Sequence, residues 1–212
     1  EHADLSAVAD GHANDMVLDR QGNAYVGNFG FDLMGGAPFA PARLARVAPD
    51  GTVSAVAEGL YFPNGSMVTP DGRTLIVGET FGNRLSAFDL LPGGGLGPRR
   101  DWAVFGPLPQ GDNLAQVIAQ TQVAPDGAAL DAEGAVWLAD ANHRRVLRVA
   151  EGGGVLGEIA TRPLGVYACA LGGPDGRTLF LCVAPDYLEH KRKAAREAAV
   201  WTTRVDVPAA GF

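Results

Sequence analysis

Short apolar runs separated by glycine-bearing turns recur along this chain, and four segments share one layout. A polar or small residue leads into an apolar run, a Gly turn follows, and a second apolar run closes the unit. The segments are NDMVLDRQGNAYVGN from Asn14, NGSMVTPDGRTLIVG from Asn64, DGAALDAEGAVWLAD from Asp126 and ACALGGPDGRTLFLC from Ala168. Their turn glycines are Gly22, Gly72, Gly134 and Gly176, spaced 50, 62 and 42 residues apart, and each leading residue lies eight positions before its glycine. The second runs, such as Leu75–Val77 and Val136–Leu138, have strand length and turn-forming borders, so each segment reads as a β-hairpin. Further strand pairs follow, from Arg43 with a turn at Pro49-Asp50-Gly51, from Arg84 and from Arg145. Each unit therefore holds about four short strands in roughly 40–60 residues, the size of a propeller blade.

Two stretches depart from that rhythm. Residues 186–199, rich in Ala and charge with Glu189/Lys193 and Lys193/Glu197 at i,i+4 spacing, predict one short exposed helix. Pro107 to Gln122 is a long connection placed to overhang a site. The rest of the composition narrows the partners. Twenty-nine glycines and 14 prolines in 212 residues favour many short elements. Hydrophobic residues at 47% and charged residues at 19% exclude a disordered chain. A net charge of −7 argues against nucleic acid, and no apolar run is long enough for a membrane span. Cys169 and Cys182 fall in one predicted hairpin and are expected as buried, reduced thiols. No charged-then-apolar leader precedes the first unit, so a cytoplasmic location is expected.

In a propeller the innermost strands surround one axis, so equivalent positions converge. The position eight before the glycine holds Asn14, Asn64, Asp126 and Ala168. Three oxygen-bearing side chains at one centre suit a hard divalent cation (Ca²⁺, Mg²⁺ or Mn²⁺, with Zn²⁺ less specific) or a polar ligand. Taken singly, Pro63-Asn64-Gly65 and Pro125-Asp126-Gly127 also read as ordinary turns; the shared register is what adds the site reading. Asp126 is the one ionisable group of the three, able both to bind a metal and to accept a proton from water. Glu79, after an outgoing strand, is the nearest internal carboxylate and otherwise a solvent-facing strand end. No Gly-x-Ser-x-Gly elbow and no zinc spacing is present.

The stretches GHANDMVLDRQGNAYVGNFGFDL, FPNGSMVTPDGRTLIVGETFGNRLSAFDL and PDGAALDAEGAVWLADANHRRVLRV, with ACALGGPDGRTLFLC and RVDVPAAG, resemble the family of senescence marker protein (regucalcin), gluconolactonase and luciferin-regenerating enzyme. The resemblance implies an all-β, six-bladed propeller, of which about four to four and a half blades would be present here as one domain over residues 1–212. It implies a single divalent metal held by Asn64, Asp126 and a Glu early in the family's chain, which this sequence does not contain. It also implies substrate contact from Asn14 and Asp15. His12, which stands where many members carry Arg, is the third candidate substrate contact.

The expected function is metal-dependent opening of a small sugar lactone or related ester, with Asp126 as ligand and general base. The alternatives are a non-catalytic propeller binding calcium or a small polar ligand, and a scaffold whose Asx residues serve only as turns.

Overall fold

The computed structural model describes residues 2–211. Four antiparallel sheets follow one another along the chain, each a meander starting from its innermost strand. The first comprises β1 (Ala13–Leu18), β2 (Ala24–Asn28), β3 (Ala42–Val47) and β4 (Val53–Leu60). The second comprises β5 (Pro63–Val68), β6 (Thr74–Glu79), β7 (Arg84–Asp89) and β8 (Arg100–Val104). The third holds β9 (Pro125–Leu130), β10 (Val136–Asp140), β11 (Arg145–Val149) and β12 (Val155–Ala160); the fourth holds β13 (Gly165–Gly172), β14 (Thr178–Ala184) and β15 (Ala199–Arg204). Strands β1, β5, β9 and β13 lie side by side, so the sheets are successive blades of a β-propeller. The four counted turn glycines all have positive φ, between 71° and 82°.

Period-two alternation assembles the blades. Along β6, Leu75 and Val77 pack with Tyr25 and Leu44 of the first blade. Ile76 points the other way, into a cluster with Val136 and Leu138 of the third. Along β10, Trp137 turns from that cluster to meet Leu179, Leu181 and Val183 of the fourth blade. A strand buried on both faces must be apolar at every position, which is why these runs are continuous rather than alternating.

The segments flanking the sheets tie them together. Ala3, Leu5 and Val8 cover the free face of the first blade against Val26, Ala45 and Val47. At the other end the chain bridges two blades: Pro208 O accepts from Ala132 N (2.8 Å), Ala209 N donates to Gly176 O (2.9 Å) and Ala210 N to Leu130 O (3.0 Å).

Three expectations need correction. Only Glu189–Arg192 is helical within 186–199 (α2); Lys193 does bridge Glu189 at 2.5 Å, but Glu197 pairs with Arg192 instead, and by Ala199 the chain is already in β15. The 107–122 connection contains a helix, α1 (Leu114–Gln120), capped by Asn113, whose side chain accepts from Gln116 N, and it seats the fully buried Val117 among Phe31, Phe62 and Phe81. Both cysteines are free, yet only Cys169 is buried. Cys182 pairs with Ala168 while Cys169 pairs with Leu181, so the two thiols face opposite sides of the sheet, and Cys182 lies on the open one.

Candidate functional site

Each innermost strand carries a β-bulge near its start. Pairing skips from Ala13 to Met16, from Pro63 to Ser66, from Pro125 to Ala128 and from Val166 to Ala168. The residues freed from the ladder are Asn14-Asp15, Asn64-Gly65, Asp126-Gly127 and Tyr167. A bulge re-aims side chains that regular pleating would direct into the sheet packing. Here it delivers Asn14, Asp15, Asn64, Asp126 and Tyr167 to one cleft of about 470 Å³, completed by Met16, Ser66, Cys169 and small residues.

The glycines after Asn64 and Asp126 are not turn formers; both lie inside strands. A Cβ on Gly65 would collide with the Asp126 carbonyl of the next blade, and one on Gly127 would lie 2.7 Å from Ala168 Cα. Bare backbone lets neighbouring inner strands approach closely enough to share a cleft. Gly65→Ala is therefore expected to cost about 1–3 kcal/mol or more, because the obstacle is backbone and cannot rotate away. A urea-unfolding midpoint left at the wild-type value would contradict this close-packing account.

The side chains are held from behind. Asn64 Nδ2 donates to Thr80 Oγ1 (3.1 Å), which donates to Pro125 O (2.7 Å), joining the second blade to the strand that carries Asp126. Asp15 accepts from Met16 N (2.8 Å) and from Ser66 N of the next blade (3.4 Å). Asp126 accepts from Gly127 N (3.0 Å). Burial in the channel pushes the Asp126 carboxyl up to about 7, with the Asp15 charge adding to the rise and the Asn64 and Gly127 hydrogen bonds opposing it. The Tyr167 hydroxyl is also raised, by burial first and then by the Asp186, Tyr187 and Asp126 charges, while Arg144 works against the rise.

The cleft lining thus contains two carboxylates and two carboxamides but no Lys, Arg or His. Among the described residues, no three His, Cys, Asp or Glu side chains cluster as a metal site. The donor set is of a different kind: one desolvated carboxylate without a cationic partner, sharing its cleft with the carboxamides of Asn14 and Asn64. That chemistry fits a hard divalent cation held by Asp126 and Asn64, since neutral donors add oxygens without mutual repulsion.

Other candidates lie elsewhere. His12 is exposed and stacks on Phe29 (centroids 5.9 Å apart) outside the cleft lining. Glu79 neither faces solvent nor reaches the cleft. It is fully buried, bonded by Arg84 Nε (2.7 Å) and NH2 (2.9 Å), Ser86 Oγ (2.5 Å) and Tyr61 N (2.8 Å). Its sequence signal was a carboxylate followed five residues later by Arg across a tight turn, repeated at Asp140/Arg145. In the fourth blade the bulge falls at Tyr167, one position before Ala168, so counting from the glycine missed it.

Residues 2–185 match the family described as SMP-30/Gluconolactonase/LRE-like region. The chain is similar to pentonolactonase XacC of Haloferax volcanii, 28% identical over 81% of this chain and 53% of that protein. It is also similar to a 6-deoxy-6-sulfogluconolactonase of Pseudomonas putida, 29% identical over 78% of this chain and 54% of that protein. Among solved structures, a calcium-binding protein, regucalcin, from Agrobacterium tumefaciens superposes with a TM-score of 0.71 at 22% identity, covering 100% of this chain and 66% of that one. The chain thus spans little more than half the length of these two curated relatives. With the family matched over most of its length and the same all-β architecture, this chain belongs to the SMP-30/gluconolactonase/LRE-like family.

Proposed function

We propose that this chain forms the catalytic part of a hydrolase that opens the lactone of a sugar acid, a substrate class shared by the relatives named pentonolactonase and 6-deoxy-6-sulfogluconolactonase. One observation carries the reading: the desolvated Asp126 carboxylate shares a cleft with two carboxamides and has no cationic neighbour. Asp126 and Asn64 would hold a divalent ion, which would supply Lewis-acid polarisation of the lactone carbonyl. Asp126 accepts the proton of the attacking water as its oxygen bonds to the carbonyl carbon. The ring C–O bond then breaks, and that proton goes to the departing alkoxide, giving a hydroxy acid. Asn14, exposed at the cleft mouth, donates an N–H to a ring hydroxyl or to the developing oxyanion. Asp15, fixed by two backbone amides, accepts from a second ring hydroxyl. Lactones are activated esters, so no covalent nucleophile is needed.

A pH-stat assay on glucono- and pentonolactones, corrected for spontaneous opening, tests this. Acid release is expected with added Ca²⁺, Mg²⁺, Mn²⁺ or Zn²⁺ and loss of it in excess chelator. Full activity in chelator would refute the metal-assisted mechanism. Saturable calcium binding without turnover of any lactone would assign the cleft to ligand binding instead.

A further inference from the structure

A second polar cavity of about 420 Å³ lies on the third blade, where the β10–β11 turn meets the end of β12 and the connection to β13, lined by Asn142, His143, Arg144, Arg145, Glu158 and Arg162 among others. Its position relative to the cleft follows from the strands. The loop after β10 starts beside Pro125, which pairs with Asp140, so the cavity opens at the end of the propeller where Asp126 sits. Thr161 N donates to Arg144 O (2.9 Å), setting Arg144 beside the turn that carries Arg162 and leads into β13 and Tyr167.

Most of the charge in this cavity is already engaged. Asp140 is fully buried and accepts from Ala124 N (3.0 Å), Arg145 Nε (2.9 Å) and His143 Nδ1 (2.9 Å). Glu158 pairs with Arg145 at 3.2 Å. The guanidinium groups of Arg144 and Arg162 have no acidic partner among the described residues, and both are exposed. Asn142 Nδ2 is buried without a hydrogen-bond partner, an orphan donor that needs an acceptor. Arg144 is also held in the left-handed region at φ 56°, where the corresponding residue of the second blade is Asn83. Asn tolerates that conformation; a long side chain adopts it at a cost, and such strain gathers where a side chain must be presented for binding.

We propose that Arg144, Arg162 and Asn142 Nδ2 form an anion subsite that takes the acidic substituent (phosphate, sulfonate or carboxylate) of the lactone opened at Asp126. This rests on the lactonase reading and adds to it a preference for anionic lactones. Two free guanidinium forks and an amide donor match an oxyanion group, and they stand out on a chain of net charge −7.

The test compares wild type, Arg144→Gly, Arg162→Ala and the double variant on glucono-δ-lactone and its 6-phosphate. Glycine accepts the backbone conformation at 144, so that variant should fold with a thermal midpoint at or above wild type. The expected result is a KM for the phosphorylated lactone raised about 10-fold or more in each variant, with little change for the neutral lactone. Equal effects on both lactones, or no wild-type preference for the phosphorylated one, would overturn the subsite while leaving lactonase activity standing. Calorimetric titration with inorganic phosphate decides the subsite even if neither lactone is opened. Binding that is lost in the double variant supports it; no binding, or binding unchanged in the double variant, overturns it.

Discussion

Asp126→Asn is expected to lower lactone opening by about 10²–10⁴-fold, because it removes the group that takes the water proton. The change is nearly isosteric and keeps one side-chain oxygen, so the cleft keeps its shape and Asn64 its neighbour. A second readout separates this from general damage. Burial raises the folded-state Asp126 carboxyl to about 7 from an ordinary value of 3.8. A carboxyl raised on folding contributes stability at pH values below its unfolded value and loses it as pH climbs through the folded value. Without metal, the wild-type protein should therefore lose stability between about pH 4 and pH 7, and Asp126→Asn should be flatter across that window. Thermal melts in chelator at pH 4.5 and pH 8 measure the difference. A variant with unimpaired turnover, or one whose melting temperature falls with pH as steeply as wild type, would remove Asp126 from the centre of the mechanism.

Glu79→Ala should destabilise the fold by about 3–5 kcal/mol, the usual effect of stripping one partner from a buried ion pair. The magnitude follows from what would be stranded. The Arg84 side chain is only 15% exposed and would lose both contacts with its carboxylate. Ser86 Oγ and Tyr61 N would lose their acceptor in the same stroke. Glu79→Gln retains the volume and an acceptor for Tyr61 N, so it should fall between wild type and the alanine variant. Urea unfolding with an unchanged slope measures the loss. A cost below about 1 kcal/mol, the size expected of an exposed pair, would show that this cluster is not the buried anchor described here.

What the sequence disclosed and what it hid have separate physical origins. Blades were legible because a hairpin flanked by tight turns leaves a local signature, and because β6 and β10, buried on both faces, are apolar throughout. Asn14, Asn64 and Asp126 were legible as a set because the bulge sits at a constant distance from the turn glycine in three blades. Tyr167 was not, since the ladder of the last blade slips by one residue and only pairing reveals the slip. Gly65 and Gly127 looked like turn formers because the reason for a bare Cα, the strand of the next blade, is distant in sequence. Glu79 was misplaced although its pairing with Arg84 is local: its burial is decided by the packing that gathers Arg84, Ser86 and Tyr61 around it, and an acidic residue at a strand end carries no sign of that by itself. The helical reading of 186–199 rested on local charge spacing, and pairing of β15 with β14 claimed its far end.

The recurring bulge also makes the propeller modular at its axis. Each inner strand breaks its regular ladder at a bulge near its start, and the first residue freed there turns toward the cleft instead of into the interlocked faces between blades. Tyr167 occupies that socket in the fourth blade, where the first three offer Asn14, Asn64 and Asp126. Exchanging the occupant of one socket would retune the chemistry of the shared cleft while the surrounding sheets stay as they are, which makes these four positions the natural starting points for redesign.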